Sequence, residues 1–339
     1  MINIVVEQLN TATLSGDSRD PVSDSFGWNL SLTPRLSRSE RRYSVEPIAF
    51  GTTGCTTCNV SRHLNNSISM PLIPVESLDD PRLTPYRHLK RMNPTRWSNV
   101  FIAEGVRLVE RLLESDFEVV SILAAETHLR RLPDDVIDSV PVFAAPLKML
   151  EQVVGFQFHS GMLACGRRPA GVALEEWMPP VNQPALLVGC PETTDPDNLG
   201  TIMRISAAFG AAGLLVGSAS ADPFSRRTLR ISMGNAFFLP IHQTFDFTTD
   251  LVRARDEFGF TVIASLLGPE TIPLSQCKRP SRLLLLLGNE DHGLSPELAA
   301  LADRRVTIPM ADKVDSLNVG IAAGIFLHHL TMVADAENE

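Results

Sequence analysis

The side chains best placed to do chemistry lie between Asp303 and His329, where a strand gives way to a helix. Val306-Thr307-Ile308 is short and apolar, and Pro309, which has no N–H, ends it. Asp315, Ser316 and Asn318 follow, and all three are residue types that open helices. The run Gly320 to Leu327 is apolar almost all round, which predicts burial in a core or against a second subunit. Polar groups at such a mouth stand beside the open end of a sheet, where α/β folds bind ligands. Gly288 directly follows the apolar run Leu283 to Leu287, and a glycine there lets a ligand approach the backbone. Cations form a second set. Leu83, Tyr86, Leu89 and Met92 recur at helical spacing, and the polar side of that helix carries Arg82, Arg87, Lys90 and Arg91, with Arg96 beyond. Such a run is either a solvated face or a phosphate-contacting patch. Cys55-Thr56-Thr57-Cys58, with His63 nearby, has the spacing of half a zinc site, but no second ligand pair follows.

The elements that position these residues read as α/β. The chain has 339 residues, enough for two ordinary domains and an extension. Residues 1–71 are rich in Ser, Thr, Asn and Gly without a hydrophobic period, and read as a disordered extension or a misplaced start before Met70. Residues 72–170 alternate helix and strand, with strands at Val100 to Ala103, Val119 to Leu123 and Pro141 to Phe143. Residues 171–184 form a proline-broken linker. In residues 185–335, Ala185 to Gly189, Leu214 to Val216, Phe260 to Leu267 and Leu283 to Leu287 are buried strands of a parallel sheet. A helix from Thr201 to Phe209 makes the first βαβ unit. Neither G-x-G-x-x-G nor a P-loop is present, which argues against a dehydrogenase or nucleotide hydrolase. The net charge of −9 excludes a global basic field but allows a local patch. Five scattered cysteines do not form a disulfide framework, so a reducing cytoplasm is the simpler expectation. No apolar run reaches the ~18 residues of a membrane span.

Three stretches, taken in order, resemble the SpoU (TrmH-type) RNA 2′-O-ribose methyltransferases of the SPOUT superfamily. They are Asn198-Leu199-Gly200-Thr201-Ile202-Met203-Arg204, then Leu287-Gly288-Asn289-Glu290-Asp291-His292-Gly293-Leu294, then Ile308-Pro309-Met310 with Ser316-Leu317-Asn318-Val319. Arg230-Ile231-Ser232-Met233-Gly234 is similar to a further family segment. Asp315 stands where many members have Glu, and Asp291 where many have Gly.

The resemblance implies a parallel-sheet SPOUT domain with a deep trefoil knot, although chains in general avoid knots. It also implies a smaller N-terminal α/β domain, similar to an RNA-binding ribosomal protein, over residues 72–170. S-adenosyl-L-methionine is the implied cofactor, contacted by Gly288, Ile308, Met310, Ser316 and Leu317. The implied catalytic set is Arg204, Asn198, Glu290 and Asn318. Arg204 acts there on the ribose 2′-hydroxyl, either as a base or as a cation that stabilises the alkoxide. A guanidinium is a poor proton acceptor, which favours the cation. Glu290 would pair with Arg204 or meet the RNA, and Asn198 and Asn318 could also cap helices. The RNA-contacting candidates are Arg82, Arg87, Lys90, Arg91 and Arg96. A homodimer without a metal or membrane contact is implied, acting on 23S-type ribosomal RNA, with transfer RNA as the alternative. A non-catalytic RNA-binding module on the same fold is the rival of another class.

Overall fold

The computed structural model describes residues 72–87, 89, 98–312 and 314–334. Cys55, Cys58, His63, Lys90, Arg91 and Arg96 lie outside the described residues.

Residues 73–167 build a five-stranded sheet. Its elements are β1 (Ile73–Pro74), β2 (Val100–Glu104), α1 (Val106–Glu114), β3 (Val119–Ala125), α2 (Asp134–Ser139), β4 (Val142–Ala145), α3 (Leu147–Val154) and β5 (Met162–Arg167). The strand order is β1-β4-β3-β5-β2, with β5 antiparallel to both of its neighbours. Of the helix predicted from Leu83 to Met92, the described residues form a short 3-10 turn, Pro81–Tyr86. Pro85 lies inside it, lacks an N–H and disfavours α geometry in Thr84, so an α-helix cannot propagate. The apolar spacing still holds: Leu83, Tyr86 and Leu89 are buried.

A parallel seven-stranded sheet follows. Its elements are α4 (Leu174–Trp177), β6 (Ala185–Cys190), α5 (Pro196–Ala208), β7 (Gly213–Gly217), α6 (Arg226–Ile231), β8 (Ile241–Thr244), α7 (Phe247–Asp256), β9 (Thr261–Ser265), β10 (Ile272–Pro273), β11 (Arg282–Leu286), α8 (Pro296–Ala300), β12 (Arg304–Thr307) and α9 (Val319–His328). The order is β10-β12-β9-β11-β6-β7-β8. Strand β12 has only the two-residue β10 outside it, so the apolar Val306 run sits close to an edge rather than at the centre. From β6 the chain winds outward through β7 to β8, then returns to β9 and β11 on the other side. The crevice between β6 and β11 is therefore the place where loops diverge and ligands fit.

The two sheets share one core. Phe101 of β2 stacks on Phe224 and Phe237, with ring centroids 5.5 and 5.6 Å apart. Beside them Arg168 forks onto Asp222 at 2.9 and 2.6 Å, the two side chains 13% and 3% exposed. A desolvated, bidentate pair of this kind fixes orientation more than it adds stability. The 171–184 segment is docked rather than loose. Leu174 and Met178 are buried, and Arg282 at the start of β11 donates to the carbonyls of Pro179, Pro180 and Gln183. Burial pushes the Arg282 pKa down, but four accepting carbonyls, that of Phe258 included, hold its guanidinium.

Helix α9 is only half buried. Ala323, Phe326 and Leu327 face the core, while Ile321 and Ile325 are 56% and 39% exposed. The expectation of all-round burial is thus not met within one chain.

Candidate active site

Three loops meet over the carboxyl ends of β6, β11 and β12. Asp195 caps α5 by accepting from the N–H of Asp197, and Pro196 suits the first turn. The helix therefore begins five residues earlier than the sequence suggests, and Asn198 lies inside its first turn instead of capping it. That frees the buried Asn198 side chain. It donates to Glu290 Oε1 at 3.0 Å and accepts from Asn318 Nδ2 at 2.8 Å. Asn318 is at once the cap of α9, its Oδ1 accepting from the N–H groups of Gly320 and Ile321. Glu290 also accepts from the N–H groups of Thr194 and Asp195 and from the Thr194 hydroxyl. One hydrogen-bonded chain, Asn318–Asn198–Glu290, thus ties together three segments far apart in sequence.

Burial acts to raise the Glu290 pKa. Donation from Asn198 and from the backbone of Glu290 itself, Asp195 and Thr194 outweighs it, and the net shift is downward. Glu290 is an ionised acceptor and a weak base. Of its two expected roles, pairing with Arg204 or meeting the RNA, the first is not made within this chain, where Asn198 is its partner.

The loop after β11 folds back on itself. Asn289 and Gly293 exchange backbone hydrogen bonds, and Asn289 Oδ1 accepts from the N–H groups of Asp291 and His292. A Cβ on Gly288 would lie 2.6 Å from the carbonyl carbon of Gly293. Only glycine fits there, and the crowding comes from the chain itself. Gly288, Ile308, Met310 and Leu317 make no backbone–backbone hydrogen bond with another described residue. Main-chain groups without such bonds suit a ligand held by the backbone. Ile308 packs on the core, and Ser316 is exposed and caps nothing. A groove of about 510 Å³ lies alongside, lined by Leu274, Ile308, Pro309 and the α9 residues Ile321, Ile325 and His328. It reaches Ile308 but neither Gly288 nor Leu317.

Arg204 stands apart from the network. It is exposed, in the third turn of α5, about 9 Å along the axis from Asn198. It has no hydrogen bond or ion pair with a described residue. Gly200 abuts Ile231 of α6, where a Cβ would lie 2.8 Å from Ile231 Cβ, and Thr201 packs on Gly320 of α9. Helical spacing then sets Asp197, Arg204 and Ala208 on the solvent strip between α6 and α9. On that strip Arg227 pairs with Asp197 at 2.6 Å and holds its carboxyl below the ordinary range.

In the small sheet, Arg82 is bound in a fork to Asp80, and Arg87 donates to the carbonyls of Leu78 and Asp80. Among the described residues no cluster of three or more His, Cys, Asp or Glu is placed to hold a metal ion, and no helix is long and apolar enough to cross a membrane.

The profile of the SpoU rRNA Methylase family matches residues 185–328, the span that carries all three loops. An uncharacterized tRNA/rRNA methyltransferase of Mycobacterium tuberculosis is 33% identical over 267 residues, covering 75% of this chain and 89% of that protein. This chain belongs to the SpoU methylase family. The 23S rRNA (guanosine-2′-O-)-methyltransferase RlmB of Acinetobacter baylyi is 30% identical over 239 residues, 66% of this chain and 94% of that one. A crystal structure of an AdoMet-bound rRNA methyltransferase from Sinorhizobium meliloti superposes with a TM-score of 0.67 at 27% identity, covering 76% of this chain and 97% of that one. The SpoU chain described here is an RNA methyltransferase, and its seven-stranded parallel sheet is the family's.

Proposed function

We propose that this SpoU enzyme transfers a methyl group from S-adenosylmethionine to a ribose 2′-oxygen of ribosomal RNA. The observation that carries the reading is the Asn318–Asn198–Glu290 chain, which draws the three family stretches together over the β6–β11 crevice. A binding-only module has no need of this shared hub. The bare main-chain groups of Gly288, Ile308, Met310 and Leu317, with Ser316 at the rim, are the proposed seat of the cofactor. When bound, S-adenosylmethionine supplies an electrophilic methyl group. Asn198, Glu290 and Asn318 fix the loops around it. Arg204, which makes no bond with a described residue, stabilises the alkoxide that forms as the 2′-hydroxyl loses its proton, and grips the neighbouring phosphate. Glu290 is too acidic and too well bonded to take that proton.

Within one chain Arg204 faces solvent, and Ile321 and Ile325 of α9 are exposed as well. A homodimer across that apolar face explains both features, since it covers the helix and lets Arg204 of one subunit complete the other's site. The knot is part of the same proposal. In its support, α9 follows β12 yet packs on α5, the helix after β6, past the intervening β9 and β11. Residues 72–170 are proposed as the RNA-holding domain, 171–184 as the link and 185–335 as the catalytic domain.

The test is transfer of labelled methyl to unmodified 23S rRNA, 16S rRNA and transfer RNA transcripts, with the product nucleotide mapped. A 2′-O-methyl mark on 23S rRNA is expected. A mark confined to transfer RNA would redirect the substrate, and none on any RNA would end the reading. A monomeric mass by light scattering would remove the dimer.

A further inference from the structure

Among the described residues of the small sheet, a second set of cations lies along another edge. With Arg82 and Arg87 engaged, exposed positive side chains collect where β2, β3 and β4 end and β5 begins. Glu104 is level with Leu163, Ala124 with Met162, and Ala125 with Ala145, so four strand ends form one rim. At the usual strand spacing the rim is roughly 14 Å long. Arg107 opens α1 after β2, Arg130 and Arg131 close the turn after β3, Lys148 opens α3 after β4, and His159 precedes β5. All five are exposed, and none has a hydrogen bond or ion pair with a described residue. Glu126 is exposed beside them, Asp134 and Asp135 open α2 just beyond, Glu110 and Glu151 lie a turn along α1 and α3, and Glu104 is turned to Arg226. In a chain of formal charge −9, Arg107, Arg130, Arg131 and Lys148 of this rim concentrate positive charge locally.

Two arginines of α6 link the end of β2 to the start of α5. Arg226 lies 3.0 Å from Glu104, covers the Phe156 ring at 4.6 Å and donates to the Leu89 carbonyl. Its neighbour Arg227 pairs with Asp197, next to Asn198. Arg230 and Arg204 are also exposed.

We propose that this rim, centred on Arg130 and Arg131, is the phosphate-binding edge of the enzyme. The RNA backbone runs from it past Arg226 and Arg227 to Arg204. The assignment rests on the ribosomal RNA reading above. Phosphate contacts of this kind set register and affinity, are independent of sequence and weaken with salt.

The test measures filter binding of an unmodified 23S rRNA transcript to the full chain over a salt series, for wild type, Arg130→Glu/Arg131→Glu and Lys278→Glu. Lys278 is an exposed cation before β11, at the amino end of the catalytic sheet. Loss of two phosphate contacts lowers the slope of log affinity against log salt by about 1.4 to 1.8, and affinity near 0.1 M salt by tenfold or more. The KM for RNA rises, while kcat and S-adenosylmethionine binding hold. Arg130→Lys/Arg131→Lys restores the slope. If the charge reversal melts early, Arg130→Gln/Arg131→Gln gives the same reading with a smaller change. An unchanged slope and KM, or an equal loss per charge in Lys278→Glu, overturns the rim. Failure of the underlying function reads out separately, as a wild type that binds the transcript but transfers no methyl group.

Discussion

Asn198→Asp is the sharpest probe of the hub. It keeps the side-chain shape and the acceptor toward Asn318, but it replaces the donor that meets Glu290 Oε1 at 3.0 Å with a carboxylate oxygen. Two effects add. A hydrogen bond to a charged group, worth about 1.5–3 kcal/mol, is lost. Two carboxylates about 4 Å apart then repel by about 4 kcal/mol at an effective dielectric near 20. Solvent reaches Glu290, and water and proton uptake relieve part of this, so a net loss of about 3 kcal/mol at pH 8 is expected. The sign with pH follows from proton linkage. The crowded pair binds a proton in the folded state that the unfolded chain releases at lower pH, so the variant regains stability as pH falls from 8 toward 5. Asn198→Ala loses the bond without the repulsion, costs about 1–2 kcal/mol and shows no such recovery. In wild type the Glu290 pKa is lowered, so its contribution is complete above the ordinary carboxylate range and fades only as pH falls through the depressed value. Urea unfolding at pH 5 and pH 8, with unchanged m-values, measures all three proteins. If Asn198→Asp unfolds at the wild-type midpoint at pH 8, the hub does not exist in solution and the reasoning is wrong.

Arg204→Ala is expected to abolish methyl transfer while leaving S-adenosylmethionine affinity by titration calorimetry nearly intact. Its stability should stay within about 0.5 kcal/mol, because the side chain is exposed and unpartnered; lost cofactor binding would refute the assigned role. Gly288→Ala forces a Cβ into the backbone of Gly293 and Leu294, so cofactor binding should fall at least tenfold with the loop displaced; wild-type affinity would show that the loop is not part of the seat. Arg282→Met leaves the carbonyls of Pro179, Pro180, Gln183 and Phe258 without their donor. A loss of about 3–5 kcal/mol and new protease cleavage within residues 171–184 are expected; an uncut chain would mean that other contacts hold the segment.

Much of the catalytic sheet was legible in the sequence because its strands are buried on both faces. Leu283 to Leu287 and Ala185 to Gly189 can hardly be anything else. β8 was missed: Ile241–Thr244 is partly exposed, with no apolar run to mark it. β5 carries Gly166 and Cys165 and makes sense only as the antiparallel partner of β2 and β3. The bonding of the first basic residues was not legible either. Residue type shows that a guanidinium is present, but not that Asp80 already occupies Arg82, or that two carbonyls occupy Arg87.

By itself the sequence determined the chemistry on offer. Local propensity and apolar runs dictated a parallel α/β sheet with polar loops at its carboxyl rim, and three spaced stretches marked the family. Tertiary structure alone decided what each polar side chain does. Asn198 and Asn318 are separated by 120 residues, and Asn198 and Glu290 by 92, yet they bond to one another, Asn318 while also capping its own helix, and none of them to Arg204. A side chain takes whichever partner the fold brings within about 3 Å. That distance is set by strand order, and strand order is not written in any local stretch of the chain.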